Sequence, residues 1–187
     1  TISLSTLIFG FPAPIILALL INELRSKYFA RFVQTVTYIP HFISLVVICA
    51  MIREFVKSDG FITEILTTFF NYDGKNLLSK PNAFVPIYVL SNIWQGVGWG
   101  SIVYLAALTA IDPQLYEAAR VDGASSRWKQ TIYITLPCLL PTIIIMFIMR
   151  MGQIMSVGYE KIILLYNEGI YQTADVISTY VYRMGLV

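Results

Sequence analysis

The chain has 187 residues, of which 57% are hydrophobic and only 13% are charged, and its formal net charge is +2. A soluble domain carries about 25% charged residues, so half that fraction cannot cover a globule of this size with a polar surface. The composition therefore indicates a polytopic membrane protein. The small net charge and the aromatic content of 14% argue against a nucleic-acid-binding domain and against a disordered chain.

Long uncharged runs predict the membrane spans, because a bilayer core needs roughly 20 apolar helical residues. Four complete runs and the start of a fifth occur in the chain: Thr1–Asn22, Phe32–Ile52, Pro81–Ile111, Gln130–Met149 and Val176–Tyr182. We therefore predict an all-α, polytopic transmembrane helix bundle of four complete spans and a truncated fifth. Since the sequence lacks an initial methionine and stops within an apolar pattern, we interpret residues 1–187 as one transmembrane domain of a longer protein, with flanking helices missing.

The loops between these runs suggest an orientation. The loops Glu23–Arg31 and Asp112–Lys129 together hold six basic residues, against four in the remaining loops, or five when Arg53 is included. The positive-inside rule places the more basic loops in the cytoplasm. The bias is small, and it favours a cytoplasmic position for Asp112–Lys129.

Polar residues inside spans are costly and are functional candidates by default. The third span carries Asn92, Trp94, Gln95 and Trp99, of which Asn92, Gln95 and Trp99 recur on one helical face. Such a face can bind a sugar by ring stacking and amide hydrogen bonds, or it can pack against a helix or anchor at the interface. Arg150, which follows the fourth uncharged run, either lines a pathway or extends its charge to the outer interface. A role in the substrate path and a purely structural role therefore both stay open, for the polar face of the third span and for Arg150.

The predicted spans also contain glycines, the single histidine and both cysteines. Gly96, Gly98 and Gly100 include a GxxxG spacing, which allows close helix contact or a bendable, path-lining segment. The single histidine, His41, is interpreted as a packed residue beside a proline, and the two cysteines as small core residues. No metal site and no cofactor is expected from these residues.

The segment Asp112–Pro141 predicts a helix–turn–helix elbow. Asp112 is a good N-cap, Pro113 a good first helical residue, and Gly123 can end the first helix in the left-handed conformation. Ser125 or Ser126 can cap a second helix that leads into the fourth span. A small alanine surface flanked by charges suits a docking knob, and an amphipathic interfacial helix without a partner is the alternative.

This segment also resembles a motif of a known protein family. Glu117-Ala118-Ala119, then three residues, Gly123, and later Ile134-Thr135-Leu136-Pro137 resembles the EAA loop of ABC-importer permease subunits. The surrounding sequence, YEAARVDGAS…TLP, is similar to that of the carbohydrate and oligosaccharide branch of the family. The usual spacing between the glycine and the Ile-x-Leu-Pro is nine residues, whereas this chain has ten, Ala124–Tyr133. We place the additional residue at Ser125-Ser126, since a turn can absorb it.

The resemblance implies a MetI-like permease core whose residues 112–137 form a cytoplasmic coupling loop. The expected ATPase-docking residues are Leu115, Glu117, Ala118, Ala119, Arg120, Asp122 and Gly123, and the possible substrate path comprises Asn92, Trp94, Gln95, Trp99 and Arg150. The implied partners are a dimer of cytoplasmic ATP-binding subunits, a second, non-identical permease, an extracellular solute-binding protein and membrane lipid, in a bacterial inner membrane. No nucleic acid is expected as a partner.

This resemblance predicts a subunit that is not itself an enzyme. The sequence contains no GxxxxGK[ST] phosphate loop, so ATP hydrolysis is expected in the partner. The expected function is the import path for a sugar or oligosaccharide. The alternatives are a permease of the same superfamily for another solute, a stand-alone secondary transporter or channel, and a membrane-embedded enzyme. The last two lack the intramembrane carboxylates, inverted repeat or catalytic constellation they need.

Overall fold

A computed structural model describes residues 2–70, 72–124, 126–154, 158–166, 170 and 176–185. The described residues are mainly helical and contain no β-strand. The α-helices are α1 (Ile2–Gly10), α2 (Pro12–Asn22), α3 (Lys27–Tyr38), α4 (Leu45–Val56), α5 (Phe61–Phe70), α6 (Pro81–Thr109), α7 (Pro113–Val121), α8 (Arg127–Gln130), α9 (Leu136–Gly152), α10 (Tyr159–Leu165) and α11 (Ile177–Gly185). Short 3₁₀ turns cover Ile39–Phe42 and Leu77–Ser79, and a π-helical segment covers Thr131–Thr135.

Helix α6 is the central element of the bundle, and it packs against α1, α2, α3 and α9. One hydrophobic core surrounds its first third, where Phe84 and Tyr88 are buried among residues of α4 and α10. A second core surrounds its last third, where Tyr104 and Leu108 meet Ala18 and Leu139. The middle of α6, which carries the polar residues of the predicted third span, therefore lies between the two cores.

Glycines in the middle of α6 serve two different purposes. A Cβ atom at Gly98 would overlap the backbone carbonyl of Thr37, and one at Gly100 would lie 3.1 Å from the ring of Pro14. These two glycines therefore permit the close crossings of α6 with α3 and α2. A Cβ at Gly96 would meet no atom within 4 Å, so Gly96 faces open space. Close helix contact is thus confirmed for Gly98 and Gly100, whereas a path-lining role stays a prediction for Gly96.

The predicted second span, Phe32–Ile52, is not one straight helix. Two helical stretches, Lys27–Phe42 and Leu45–Phe69, meet at an angle of 99°. Pro40 lies within the 3₁₀ turn that ends the first stretch, and Ile43 follows in an extended conformation. Hydropathy could not show this bend, because an uncharged run reports composition and not direction. The bend brings the Ile39–Phe42 turn against α6.

The predicted count of four spans and a truncated fifth is not confirmed. By length and composition, two helical stretches in the described part of the chain could cross a membrane, Ile2–Asn22 and Arg127–Gly152, or three if the bent pair is one span. Helix α6 is long enough at 29 residues, but its Asn, Gln, Tyr and Gly residues lower its hydropathy. The fifth run contributes the nine-residue helix α11.

The two cysteines have different environments, although the sequence analysis placed both in a core. Both are free thiols; Cys49 is buried in α4, but Cys138 is exposed on α9. The assignment of Cys138 to a core is therefore wrong. In a membrane protein, a helix face that contacts lipid is as apolar as one that packs in the core. Apolar neighbours in the sequence therefore do not show which of the two surfaces a residue belongs to.

Candidate functional site: an elbow and a polar cavity

The first arm of the elbow, from Asp112 to Gly123, is built by local signals in its sequence. The Asp112 carboxylate accepts a hydrogen bond from the Gln114 backbone N–H at 2.9 Å, and Pro113 opens α7. At the other end, Gly123 has φ +87°, and the N–H of Ala124 donates to the Ala119 carbonyl at 2.8 Å. This pattern is a Schellman motif, in which a left-handed glycine ends the helix. The predicted N-cap and the predicted left-handed turn are confirmed.

The second arm begins at α8 and continues into α9 without a break. Ser126 occupies the N-cap position, but its side chain makes no capping hydrogen bond, and Ser125 lies outside the described residues. The π-helical segment Thr131–Thr135 joins α8 to α9. A π-helical turn holds one residue more than an α-helical turn, so this segment can absorb the tenth residue of the spacing that the sequence analysis placed in the turn.

Side-chain hydrogen bonds hold the two arms together. The buried Gln130 amide donates to the Ala124 carbonyl at 2.9 Å, and the hydroxyls of Tyr116 and Thr135 lie 3.0 Å apart. The hydrogen bonds therefore hold α7 and the segment that leads into α9 together as one unit.

A further contact ties the elbow to the end of α2. The Arg127 guanidinium donates to both the carboxylate and the backbone carbonyl of Glu23, each at 3.1 Å. The Thr131 hydroxyl lies 3.4 Å from the other carboxylate oxygen of Glu23. The elbow and the segment that follows α2 therefore lie at the same end of the bundle.

The predicted docking residues form an accessible surface on α7. Leu115, Glu117, Ala118, Arg120, Asp122 and Gly123 are exposed, and Ala119 is half-buried. Glu117, Arg120 and Asp122 make no ion pair within the described residues, so their charges are available to a partner. Val121 and Trp128 add apolar surface, since 87% and 73% of their areas are exposed. The sequence analysis did not assign them to docking, although large apolar side chains among charged residues were a visible signal.

Two adjoining cavities lie in the middle of the bundle, with volumes of about 380 and 260 Å³. Both are lined by residues from α1, the Ile39–Phe42 turn, α6 and α9. The residues common to both cavities are Thr6, His41, Asn92, Gly96 and Arg150. The shared lining places the two cavities side by side, and the larger has the size of a small-molecule site.

Four of the five predicted path residues line these two cavities. Asn92 and Arg150 line both cavities, Gln95 lines the larger, and Trp99 lines the smaller. Trp94 lines neither, and 47% of its surface is exposed. Two residues along a helix rotate a side chain by about 200°, which directs Trp94 away from the face of Asn92, so its place in the path stays a prediction that these cavities do not support.

His41 is packed against aromatic rings, as the sequence predicted, and it also belongs to the cavity wall. Its ring is stacked on Trp99 with ring centres 4.6 Å apart and planes 4° from parallel. Phe42 meets the same indole edge-on at 5.9 Å. His41 itself is exposed and lines both cavities. The sequence could not show this, because the contact depends on the bend at Pro40.

A buried lysine stands behind the cavity wall. The Lys161 ammonium donates to the Asn92 side-chain oxygen at 2.8 Å, and only 3% of Lys161 is exposed. Burial lowers the pKa of Lys161 to about 8, so the side chain is still mostly protonated at neutral pH. Since a protonated lysine only donates, the Asn92 oxygen faces it, and the Asn92 amide nitrogen has two hydrogens, of which its interaction with Tyr88 can use one. Sequence analysis did not single out Lys161, which lies in another segment.

A family model described as "Binding-protein-dependent transport system inner membrane component" matches residues 10–165. Among named relatives, the polygalacturonan/rhamnogalacturonan transport system permease protein YteP of Bacillus subtilis is 44% identical over 94% of this chain and 54% of its own length. Protein LplB of the same organism is 39% identical over 96% of this chain and 56% of its own length. This chain therefore spans about half the length of these relatives.

The same comparison extends to solved structures. One chain of a bacterial alginate ABC transporter was crystallised in complex with a periplasmic protein that holds an alginate pentasaccharide. It is 50% identical to this chain, with a TM-score of 0.93, over 100% of this chain and 64% of its own length. At this identity and coverage, the arrangement of helices described above is that of a known transporter chain.

Proposed function

Since the chain belongs to the binding-protein-dependent transport system inner membrane component family, we propose that it is the transmembrane subunit of an ATP-driven importer for a sugar or oligosaccharide. The family is one of transporter permeases and not of enzymes. The names of YteP and of the alginate transporter, which cite saccharide cargo, support the sugar assignment. As the chain spans only part of these proteins, the activity and partners of the whole transporter are part of the proposal.

The proposed topology is that of an inner-membrane protein with four spans and the start of a fifth. Helix α6 acts as the third span, since its 29 residues reach about 43 Å at roughly 1.5 Å per residue. The contact between Glu23 and Arg127 supports a common, cytoplasmic side for the segment after α2 and the elbow. Residues 1–187 then form a single permease domain, with the coupling loop at residues 112–137.

In the proposed mechanism the elbow converts the movement of an ATP-binding subunit into movement of the spans. The exposed face of α7 fits a groove on that subunit, with Leu115 and Ala118 in contact and Glu117, Arg120 and Asp122 forming charged contacts at the edge. The remaining docking residues, Ala119 and Gly123, allow close approach and set the turn. The brace between the arms passes the motion to α9, and the Arg127–Glu23 contact passes it to α2.

The assembly contains further partners. Two ATP-binding subunits, which hydrolyse ATP, dock on this chain and on a second, non-identical permease, and an extracellular solute-binding protein delivers the saccharide. Membrane lipid surrounds the spans. The cavity beside Asn92, Gln95, Trp99 and Arg150 is the part of the path that this chain contributes.

The observation that carries the proposal is the polar, aromatic-walled cavity in the centre of a transporter-family bundle. Its test is ATP-dependent uptake by the full-length permease, reconstituted in vesicles with its partner subunits, over a panel of saccharides, amino acids and phosphate. Trp99→Ala should reduce saccharide uptake, because the indole forms part of the cavity wall, whereas Trp94→Ala should leave uptake close to that of the wild type. Uptake of a non-saccharide alone, or equal loss in both variants, would contradict the assignment.

A further inference from the structure

The cavity carries a positive charge that no described residue neutralises. Arg150 lines both cavities and makes no ion pair within the described residues. No Asp or Glu is among the lining residues of either cavity in the described part of the chain. Arg150 is exposed, so an anion that enters the cavity can reach its guanidinium.

The groups around Arg150 add hydrogen-bond donors. The Asn92 oxygen accepts a hydrogen bond from Lys161 at 2.8 Å, and of the two hydrogens on the Asn92 amide nitrogen the interaction with Tyr88 can use one, so one donor is left. Lys161 makes no ion pair within the described residues and adds a second positive charge behind the wall. The Thr6 hydroxyl, which belongs to a residue that lines both cavities, is buried and has no hydrogen-bond partner among the described residues. A buried hydroxyl without a partner is uncommon and indicates a missing acceptor or donor.

The aromatic wall adds a second kind of contact. Trp99, held face to face with His41 at 4.6 Å, borders the smaller cavity. A flat ring of this kind offers a stacking surface for the apolar face of a sugar ring. Positive charge and donors lie beside this surface, since Asn92 and Arg150 line the same smaller cavity. A solute that matches both features combines a sugar ring with a carboxylate.

From these observations we propose that the cavity selects an acidic saccharide, and that Arg150 binds the carboxylate of a uronate residue whose ring lies against Trp99. The proposal rests on the proposed function and specifies its substrate class. An arginine suits this role, because its planar guanidinium can bind both carboxylate oxygens together, whereas a lysine offers one point charge. Asn92, held by Lys161, positions a neutral donor next to that pair.

The test compares two forms of one saccharide, with charged carboxylates and with neutral methyl esters. Trigalacturonate and its fully methyl-esterified form are titrated by calorimetry into the purified full-length transporter complex without its solute-binding protein. A hydrogen bond between charged groups contributes more binding free energy than one between neutral groups. The wild type should therefore bind the acid about tenfold more tightly than the ester. This preference should shrink as salt is added.

Three variants make the test specific to the cavity. Arg150→Gln should remove the preference for the acid, and Arg150→Lys should retain part of it. Arg53→Gln, which removes the same charge from an exposed residue of α4 outside both cavities, should behave as the wild type. Thermal unfolding of each complex verifies that the variants are folded.

Several results would overturn this inference. They are a preference that survives in Arg150→Gln, an ester that binds as tightly as the acid, binding of neither form by the wild type, or full displacement of the acid by inorganic phosphate alone. ATP-driven uptake of saccharide by the wild-type complex in vesicles, with its solute-binding protein added, distinguishes failure of this inference from failure of the proposed function. If uptake occurs without a preference for the acid, only this inference fails; if no saccharide is taken up, the proposed function fails.

Discussion

Replacing Gly98 by alanine inserts one carbon atom at the crossing of α6 and α3. The added Cβ would overlap the carbonyl of Thr37 and lie 3.0 Å from the ring of Tyr38. The carbonyl belongs to the backbone and cannot rotate away, so the helices themselves must separate. Since non-bonded carbon contacts relax to roughly 3.5 Å, the crossing has to open by about 1 Å.

The expected cost follows from two opposing terms. Overpacking of a tight contact costs about 1–3 kcal/mol. Alanine gains up to about 1 kcal/mol over glycine in a helix interior. The net destabilisation should be about 1–2 kcal/mol, which lowers the melting temperature by a few degrees in a chain of this size.

A matched control lies two residues away on the same helix. Gly96→Ala carries the same gain in helix propensity, but its Cβ meets no atom within 4 Å. Thermal unfolding of the full-length permease in detergent, followed by tryptophan fluorescence, should therefore rank Gly96→Ala at or above the wild type and Gly98→Ala below it. Equal melting temperatures for the two variants would refute the assigned helix crossing.

Two further predictions concern the loops. Gly123→Val should destabilise the elbow by about 1–2 kcal/mol, because a β-branched residue is strained in the left-handed conformation. Limited proteolysis at the turn should then be faster than in the wild type, and an unchanged rate of cleavage would contradict the assigned turn. The hydrogen bond from Lys80 holds the pKa of Asp73 below its usual value, so this pair stabilises the fold at neutral pH and is lost as the pH falls through that lowered pKa. The difference in melting temperature between the wild type and Asp73→Asn should accordingly disappear in acid, and a difference that persists there would contradict the pairing.

The elbow was predictable because its signals are local. Asp112, Pro113 and Gly123 each act through the backbone within a few residues, so a cap, a first turn and a left-handed end can be assigned without knowing the rest of the fold. The docking face of α7 follows from helical spacing once these ends are fixed. The π-helical segment was not predictable, because its residues also form ordinary α-helix.

The cavity was only partly predictable because its wall comes from distant segments. Helical spacing correctly placed Asn92 and Gln95 on one face, and the same spacing directs Trp94 away from that face. Lys161 reaches Asn92 across 69 residues, and His41 reaches Trp99 only through the 99° bend. Contacts of this kind depend on how helices pack, which composition and periodicity do not report.

The central claim is that the elbow couples this chain to an ATP-binding subunit, and co-purification tests it most directly. The full-length permease is purified with its ATP-binding subunit as the wild type, as Glu117→Lys, and as Glu64→Lys, which reverses an exposed charge on α5, far from the elbow in sequence. We predict that the wild type and Glu64→Lys retain the subunit, while Glu117→Lys is folded but purifies without it. Retention of the subunit by Glu117→Lys at the wild-type level, or its absence from the wild type, would contradict the coupling role of the elbow.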